Sequence, residues 1–253
     1  RRSSLDSDDD DDDCCWFPAA AEVLVVVVVV VDVAGAAFAM AIHAETAGWG
    51  VLNVLDWPRW IELLAAIIFL DFAIYLQHVL SHALPVFWRL HQIHHSDMDF
   101  DTTTAIRFHP IEILVSLIFK VGLVAAIGAD PWAVLLFEAI LNGTALFNHG
   151  NVRLPAKLER GLRFLIVTPD MHRVHHSTDT AETNRNFGFA LSIWDRLCGT
   201  YQQAPAKGHL GMEIGLHAYR NFSRLGLGNL LLLPFRKDVA ENRLESRERS
   251  QPS

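Results

Sequence analysis

Four apolar segments limit what this chain can become more than any other feature. Backbone N–H and C=O groups placed in hydrocarbon can be satisfied only within helices or closed barrels. Trp16 to Ile42 runs for 27 residues around VLVVVVVVV, interrupted only by Glu22 and Asp32. Trp60 to His82 follows, with Trp57 and Trp60 at its start, where amphipathic aromatics favour a membrane interface. Ile111 to Ala129 and Trp132 to Phe147 are separated only by Asp130-Pro131, the mark of a tight helical hairpin. The pattern predicts an all-α, polytopic membrane bundle of about four transmembrane helices. The alternative for the first segment is a signal peptide cleaved after Ala37-Phe38-Ala39, but the acidic residues before it are unlike a positive n-region.

Composition supports this reading. The 253 residues are 51% hydrophobic with a mean hydropathy of +0.22, too apolar for an ordinary soluble domain. Of the net charge of −8, Arg1, Arg2 and the aspartates at positions 6 and 8 to 13 supply −5, leaving −3 for the rest. Such a balance offers no basic footprint for nucleic acid, which is excluded as a partner. Residues 1–15 are predicted to be a disordered acidic tail. Three cysteines, Cys14, Cys15 and Cys198, form neither a disulfide framework nor a CxxC knuckle.

Four crossings put both chain ends, the stretch from Ala83 to Pro110 and everything after Asn148 on one face. Arg89, Arg107, Arg153, Lys157, Arg160 and Arg163 lie there, whereas the opposite loop, His43 to Arg59, has one basic side chain at its edge. The positive-inside rule makes the basic face cytoplasmic, in a bacterial inner membrane or the endoplasmic reticulum. Leu225 to Phe235 is too short to span and suits the interface, and the charged tail after Arg236 reads as a solvated helix or disordered.

Histidine is the unusual residue. Nine of the 13 fall into His78-xxx-His82, His91-xx-His94-His95, His149 and His172-xx-His175-His176, all on that same face. Positions i, i+3 and i+4 share a helix face, so each motif is expected to aim its imidazoles at one point. Imidazole suits iron, zinc, copper and nickel; nine nitrogens exceed one tetrahedral zinc, while two ions with four or five ligands each would use them all. An HxxHH pattern arises by chance about 0.03 times in such a chain, and here it occurs twice. His43, His109, His209 and His217 stand alone and read as surface or packing residues.

Asp71, Tyr75, His78 and His82 form one stripe down a helix. An acid at mid-membrane is costly, so Asp71 should face the bundle and pair with Tyr75 or with another helix. It either orients a ligand or locks helices together. Asp170, Asn148 and Asn151 flank candidate ligands and could orient imidazoles or hold water. Asp71, Tyr75, Asn151 and Asp170 are therefore the candidate catalytic residues beside the nine histidines.

The run HVLSHALPVFWRLHQIHHSDMDFDTTTAIRFHPIE from His78 to Glu112, and HRVHHSTDTAETNRNFGFALSIWDRLCGTY from His172 to Tyr201, resemble the membrane fatty acid hydroxylase and sterol desaturase superfamily. The likeness covers roughly residues 70–216, which would form the catalytic domain. Residues 16–69 would form the membrane helix, loop and start of the second helix before it, and 217–253 the interfacial segment and tail after it. The resemblance implies a cytosolic histidine-rich cap with two iron ions in a non-haem centre on the eight histidines of the three motifs. It further implies O2 as co-substrate and hydroxylation or desaturation of an unactivated C–H bond in a membrane lipid. Some acyl hydroxylases of that superfamily carry HxxxH where this chain has His149 and Asn151. No haem domain is fused, so electrons are expected from a separate electron-transfer protein. The competing class is a zinc hydrolase or a redox-idle metal-binding membrane protein, but the HExxH pattern of such hydrolases is absent.

Overall fold

A computed structural model describes residues 16–220 and 226–236, with side chains from 32 onward. The acidic tail and the charged tail lie outside the described residues. Helices form where the apolar segments lie: α1 (Trp16–Ala47), α2 (Arg59–Ala83), α4 (Pro110–Ile127) and α5 (Pro131–Asn148), with α3 (Pro85–His95) following α2 directly. Short helices continue the chain: α6 (Ala156–Leu162), α7 (Pro169–His175), α8 (Thr180–Thr183), α9 (Ile193–Leu197) and α10 (Leu227–Leu232). No strand occurs among the described residues, and two isolated antiparallel bridges, Ile166 with Leu191 and Ser177 with Ile214, tie loops together.

Local chemistry sets the boundaries. α4 begins at Pro110, whose missing N–H costs nothing in a first turn, and His109 Nδ1 accepts from the Ile111 amide at 3.1 Å. It ends at Gly128, which takes the left-handed φ of 68° that closes a helix. Two residues on, Asp130 caps α5 by accepting from the Trp132 amide at 2.7 Å, again with proline at the first position. Gly50 packs on this turn so closely that a Cβ there would lie 2.0 Å from the Gly128 nitrogen. The α1–α2 loop is thereby fastened to the α4–α5 turn, at the opposite end of α4 from the histidines.

α1 packs on α4 and α5, and α2 on α3, α5 and α4. Between them Ala37, Ala41, Ala66, Ala129 and Ala133 let the backbones approach, and Leu70, Ile74, Val124, Val134 and Phe137 fill the remaining space. The α4 helix is inside-out by the standards of a soluble protein. Its buried side chains are Lys120 and Val124, while Ile118 is 64% and Leu114 54% exposed. An apolar helix in water hides such residues, so this face belongs to a membrane-associated protein. By length and composition, α2 and α4 can each cross a bilayer. α5, with Glu138, Asn142 and Asn148 among its 18 residues, is less apolar.

At the C-terminal side, α10 and the turn Leu233–Phe235 fold back on α3. Leu230 and Leu233 pack with Ile93 and Tyr219, and Arg89 donates to the Pro234 and Arg236 carbonyls at 2.9 and 2.6 Å.

Candidate metal centre

The nine clustered histidines meet at one end of the bundle. Each is at most 3% exposed. Their nitrogens fall into two groups: His78, His82, His91, His95 and His175 in one pocket, and His94, His149, His172 and His176 in a second. Within each group one ligand atom per residue lies within 4.8 Å of every other. That spacing suits a metal ion, across which opposed nitrogens at about 2.1 Å stand about 4.2 Å apart.

Each HxxHH triplet serves both pockets, not the single point expected from its helix face. His91 and His95 enter the first pocket and His94 the second; His172 and His176 enter the second and His175 the first. The reason is helical rotation. At 3.6 residues per turn, position i+4 returns to within about 40° of i, whereas i+3 stops about 60° short on the other side.

The first pocket is built from outside by oxygen acceptors. His78 Nδ1 donates to the Phe187 carbonyl at 2.8 Å, His175 Nδ1 to the Arg185 carbonyl at 2.8 Å, and His82 Nδ1 to Asn184 Oδ1 at 3.3 Å. His91 Nδ1 donates to Glu112 Oε1 at 2.6 Å. None of these acceptors is a donor toward the ring, so Nδ1 carries a hydrogen, and in a neutral imidazole that leaves the lone pair on Nε2. With both rings neutral, the 3.1 Å approach of His78 Nε2 to His91 Nε2 sets two acceptors face to face. A cation between them removes that conflict. In the second pocket, His149 Nδ1 donates to the Ala145 carbonyl at 2.7 Å, whereas Nδ1 of His94, His172 and His176 finds no partner among the described residues.

Burial favours the neutral form, the one that binds metal, in six of these rings. Loss of solvation, above all, pushes His149 down to about 4 and His175 to about 3. His94, His95, His172 and His176 are lowered by the same cause, reinforced by the imidazoles around them.

The loop between α8 and α9 supplies much of this scaffold. Asn186 adopts a left-handed φ of 53°, tolerable for asparagine, and its side chain donates to the Met171 and Gln202 carbonyls at 2.8 Å each. The carbonyls on either side of it, Arg185 and Phe187, are those that receive His175 and His78. Asp195, fully buried, fixes the loop by accepting from the Phe187 and Gly188 amides at 2.8 and 2.9 Å.

The other candidate residues stand further out. Asp71 Oδ2 accepts from the Trp194 indole at 2.7 Å and the Leu191 amide at 3.2 Å, a lock between α2 and the α9 region. Tyr75 bonds Thr200 Oγ1 at 2.9 Å, and Thr200 in turn donates to Asp195 at 2.7 Å. Asn151 accepts from Arg173 at 3.1 Å and Asp170 pairs with it at 3.6 Å. Arg173 lies 5.3 Å over the Phe100 ring, which packs tilted against His149 and edge-on against His176. Asn148 donates to the Phe189 carbonyl at 2.6 Å. Among the isolated histidines, His109 is a buried helix cap and His43 packs edge-on against Trp49. Sequence reasoning missed Glu112, which touches an imidazole directly, and Asp195. An acid in the first turn of an apolar helix was the available signal for Glu112.

The first pocket opens on a cavity of about 460 Å³. His78 and His91 line it, as do Gln77, Ser116 and Phe189.

A fatty acid hydroxylase family model matches residues 63–200, which include all nine histidines. The chain belongs to that family. It is 32% identical over 154 residues to the ornithine lipid hydroxylase OlsE of Rhizobium tropici, covering 59% of this chain and 44% of that protein. It is 29% identical over 170 residues to human alkylglycerol monooxygenase, covering 65% and 36%. With rat cholesterol 25-hydroxylase it shares 26% over 146 residues, covering 57% and 48%. The matches span less than half the length of these relatives. No solved structure matches the chain.

Proposed function

We propose that the protein is a membrane oxidoreductase that uses O2 and two iron ions to hydroxylate or desaturate an unactivated C–H position of a lipid. The observation that carries this reading is the pair of buried all-histidine pockets, one opening on a cavity within the apolar bundle. Bound there, iron would supply the redox chemistry that attack on an alkyl C–H bond requires. The nine histidines would hold it. Glu112, Asn184 and the Phe187, Arg185 and Ala145 carbonyls keep five of those rings turned with Nε2 inward. The largely apolar walls exclude water and accept an alkyl chain. The relatives act on ornithine lipid, alkylglycerol and cholesterol by name, which favours a lipid and, between the two outcomes, hydroxylation.

In a hydroxylation one oxygen atom enters the C–H bond and the other leaves as water, drawing two electrons and two protons from an external reductant. A separate electron-transfer protein fills that role in this reading. α1, α2, α4 and α5 are taken as four crossings with the histidine end on the cytoplasmic side, beside Arg89, Arg107, Arg153, Lys157, Arg160 and Arg163.

The test is iron analysis of detergent-purified protein, paired with mass spectrometry of lipids from cells with and without the chain. About two irons per chain and a lipid product gaining one oxygen or losing two hydrogens are expected. One ion or none in folded protein, or an unchanged lipid profile in iron-loaded cells, overturns it.

A further inference from the structure

The cavity that begins at His78 and His91 also reaches a second polar place that metal binding does not explain. Lys120 on α4 and Glu138 on α5 form an ion pair at 2.6 Å, and each residue is only 4% exposed. Both line the cavity, together with Asn142. The Asn142 amide bonds the Glu138 backbone carbonyl at 2.8 Å and reaches its Oε2 at 3.4 Å. A buried ion pair is poor value as a stabiliser, because desolvation offsets most of its attraction. Ionisable residues inside an apolar bundle more often mark a ligand path.

The position is defined. Glu112, Ser116 and Lys120 lie at i, i+4 and i+8 on α4, and all three face the cavity. Glu112 holds His91, so Lys120, eight residues further on, is about 12 Å deeper along the helix. Among the described residues the ammonium meets one acceptor, Glu138, of the three it can serve. The pair is charge-balanced. A ligand bringing a net charge would upset that balance in a low-dielectric site, whereas a hydroxyl can accept from Lys120 and donate to Glu138 at once.

We propose that Lys120, Glu138 and Asn142 form a binding subsite for the uncharged hydroxyl of a lipid whose reacting carbon lies at His78 and His91, the subsite standing about 12 Å further along α4 than Glu112. This deepens the reading of the cavity as the pocket for the oxidised lipid, and rests on it. The three side chains act as a ruler: they fix one end of the molecule and thereby choose the carbon presented to the metal.

Binding decides the matter without turnover. Purified metal-containing protein, without reductant, is titrated with cholesterol, with a 1-O-alkylglycerol, with the O-methyl ethers of both, and with oleate. At least one alcohol should bind tenfold or more tightly than its ether, since a hydrogen bond to a charged group is lost, and more tightly than oleate. Equal binding of alcohol and ether, tighter binding of oleate, or no binding of either alcohol overturns the proposal. This comparison needs no variant. In the double variant Lys120→Met with Glu138→Gln, checked for wild-type iron content and monodispersity, the preference for the alcohol should vanish. Its persistence would also overturn the proposal. Lipid oxidation by a protein that ignores the hydroxyl would leave the oxidase reading standing and sink this one. Selective alcohol binding by a protein that oxidises no lipid would keep the hydroxyl subsite and sink the oxidase reading, and with it the choice of reacting carbon.

Discussion

The two histidine pockets differ less in their donors than in what stands behind them. In the first, four of five imidazoles donate Nδ1–H to an oxygen, from Phe187, Asn184, Glu112 and Arg185. In the second, one of four does, His149 to Ala145, and three Nδ1 atoms find no partner among the described residues. A ring held by such a bond has its tautomer and orientation set before metal arrives, and outer partners of this kind typically matter 10- to 100-fold in metal affinity. The contrast teaches that similar ligand chemistry can make one tightly held and one exchangeable site in a single protein. The first pocket is also the one that opens on the cavity, so in the proposed function the better-supported site is the one that would meet the lipid.

The largest effect should come from deleting one donor on each side. His94→Ala is expected to keep about one iron per chain, in the first pocket, whereas His175→Ala should keep clearly less, and neither should oxidise lipid. Metal analysis of both proteins checks this. Loss of both ions from His94→Ala, or better retention in His175→Ala, breaks the comparison.

A smaller effect tests the support alone. Glu112→Leu leaves every histidine in place but removes the acceptor of His91. First-pocket affinity should fall 10- to 100-fold in competition with a chelator, and the second pocket should be unchanged. Glu112→Gln should recover part of the loss, because an amide oxygen still accepts.

The smallest effect belongs to Asp71, which touches neither pocket. Asp71→Asn keeps an oxygen for Trp194 and should leave iron content unaltered and activity per iron within about twofold. Asp71→Leu should lower thermal stability by about 1–3 kcal/mol through the orphaned indole and amide, with activity per iron retained in what folds. A tenfold activity loss in Asp71→Asn at full iron content would show that the α9 lock reaches His78 through the Phe187 loop.

The helices were readable from the chain because apolar runs and proline punctuation are local signals. Trp60 to His82 became Arg59–Ala83, and the Asp130-Pro131 break became a capped two-residue turn. The gathering of nine histidines followed from their spacing, but their division between two pockets did not, since a shared helix face was read too coarsely. The rotation between His94 and His95 was present in the sequence all along. The supports were harder to see. Phe187 and Arg185 act through backbone carbonyls, which carry no residue signature, and Asp195 acts on backbone amides seven and eight residues away. Lys120 and Glu138 were within reach of the rule that singled out Asp71, a charge inside an apolar segment, yet only the folded bundle puts them side by side.

The divided triplets also say how such a sequence can change over evolutionary time. α3 gives two imidazoles to the first pocket and one to the second, and α7 gives one and two. Substitution at Gln92 or Ile93 leaves that allotment alone. Insertion or deletion of a single residue between His91 and His94 would turn everything beyond it by about 100° and misassign His94 and His95 together. Drift by point replacement is therefore open to these helices, whereas a change of length between the first and second histidines of a triplet is closed, because it damages both pockets in one event.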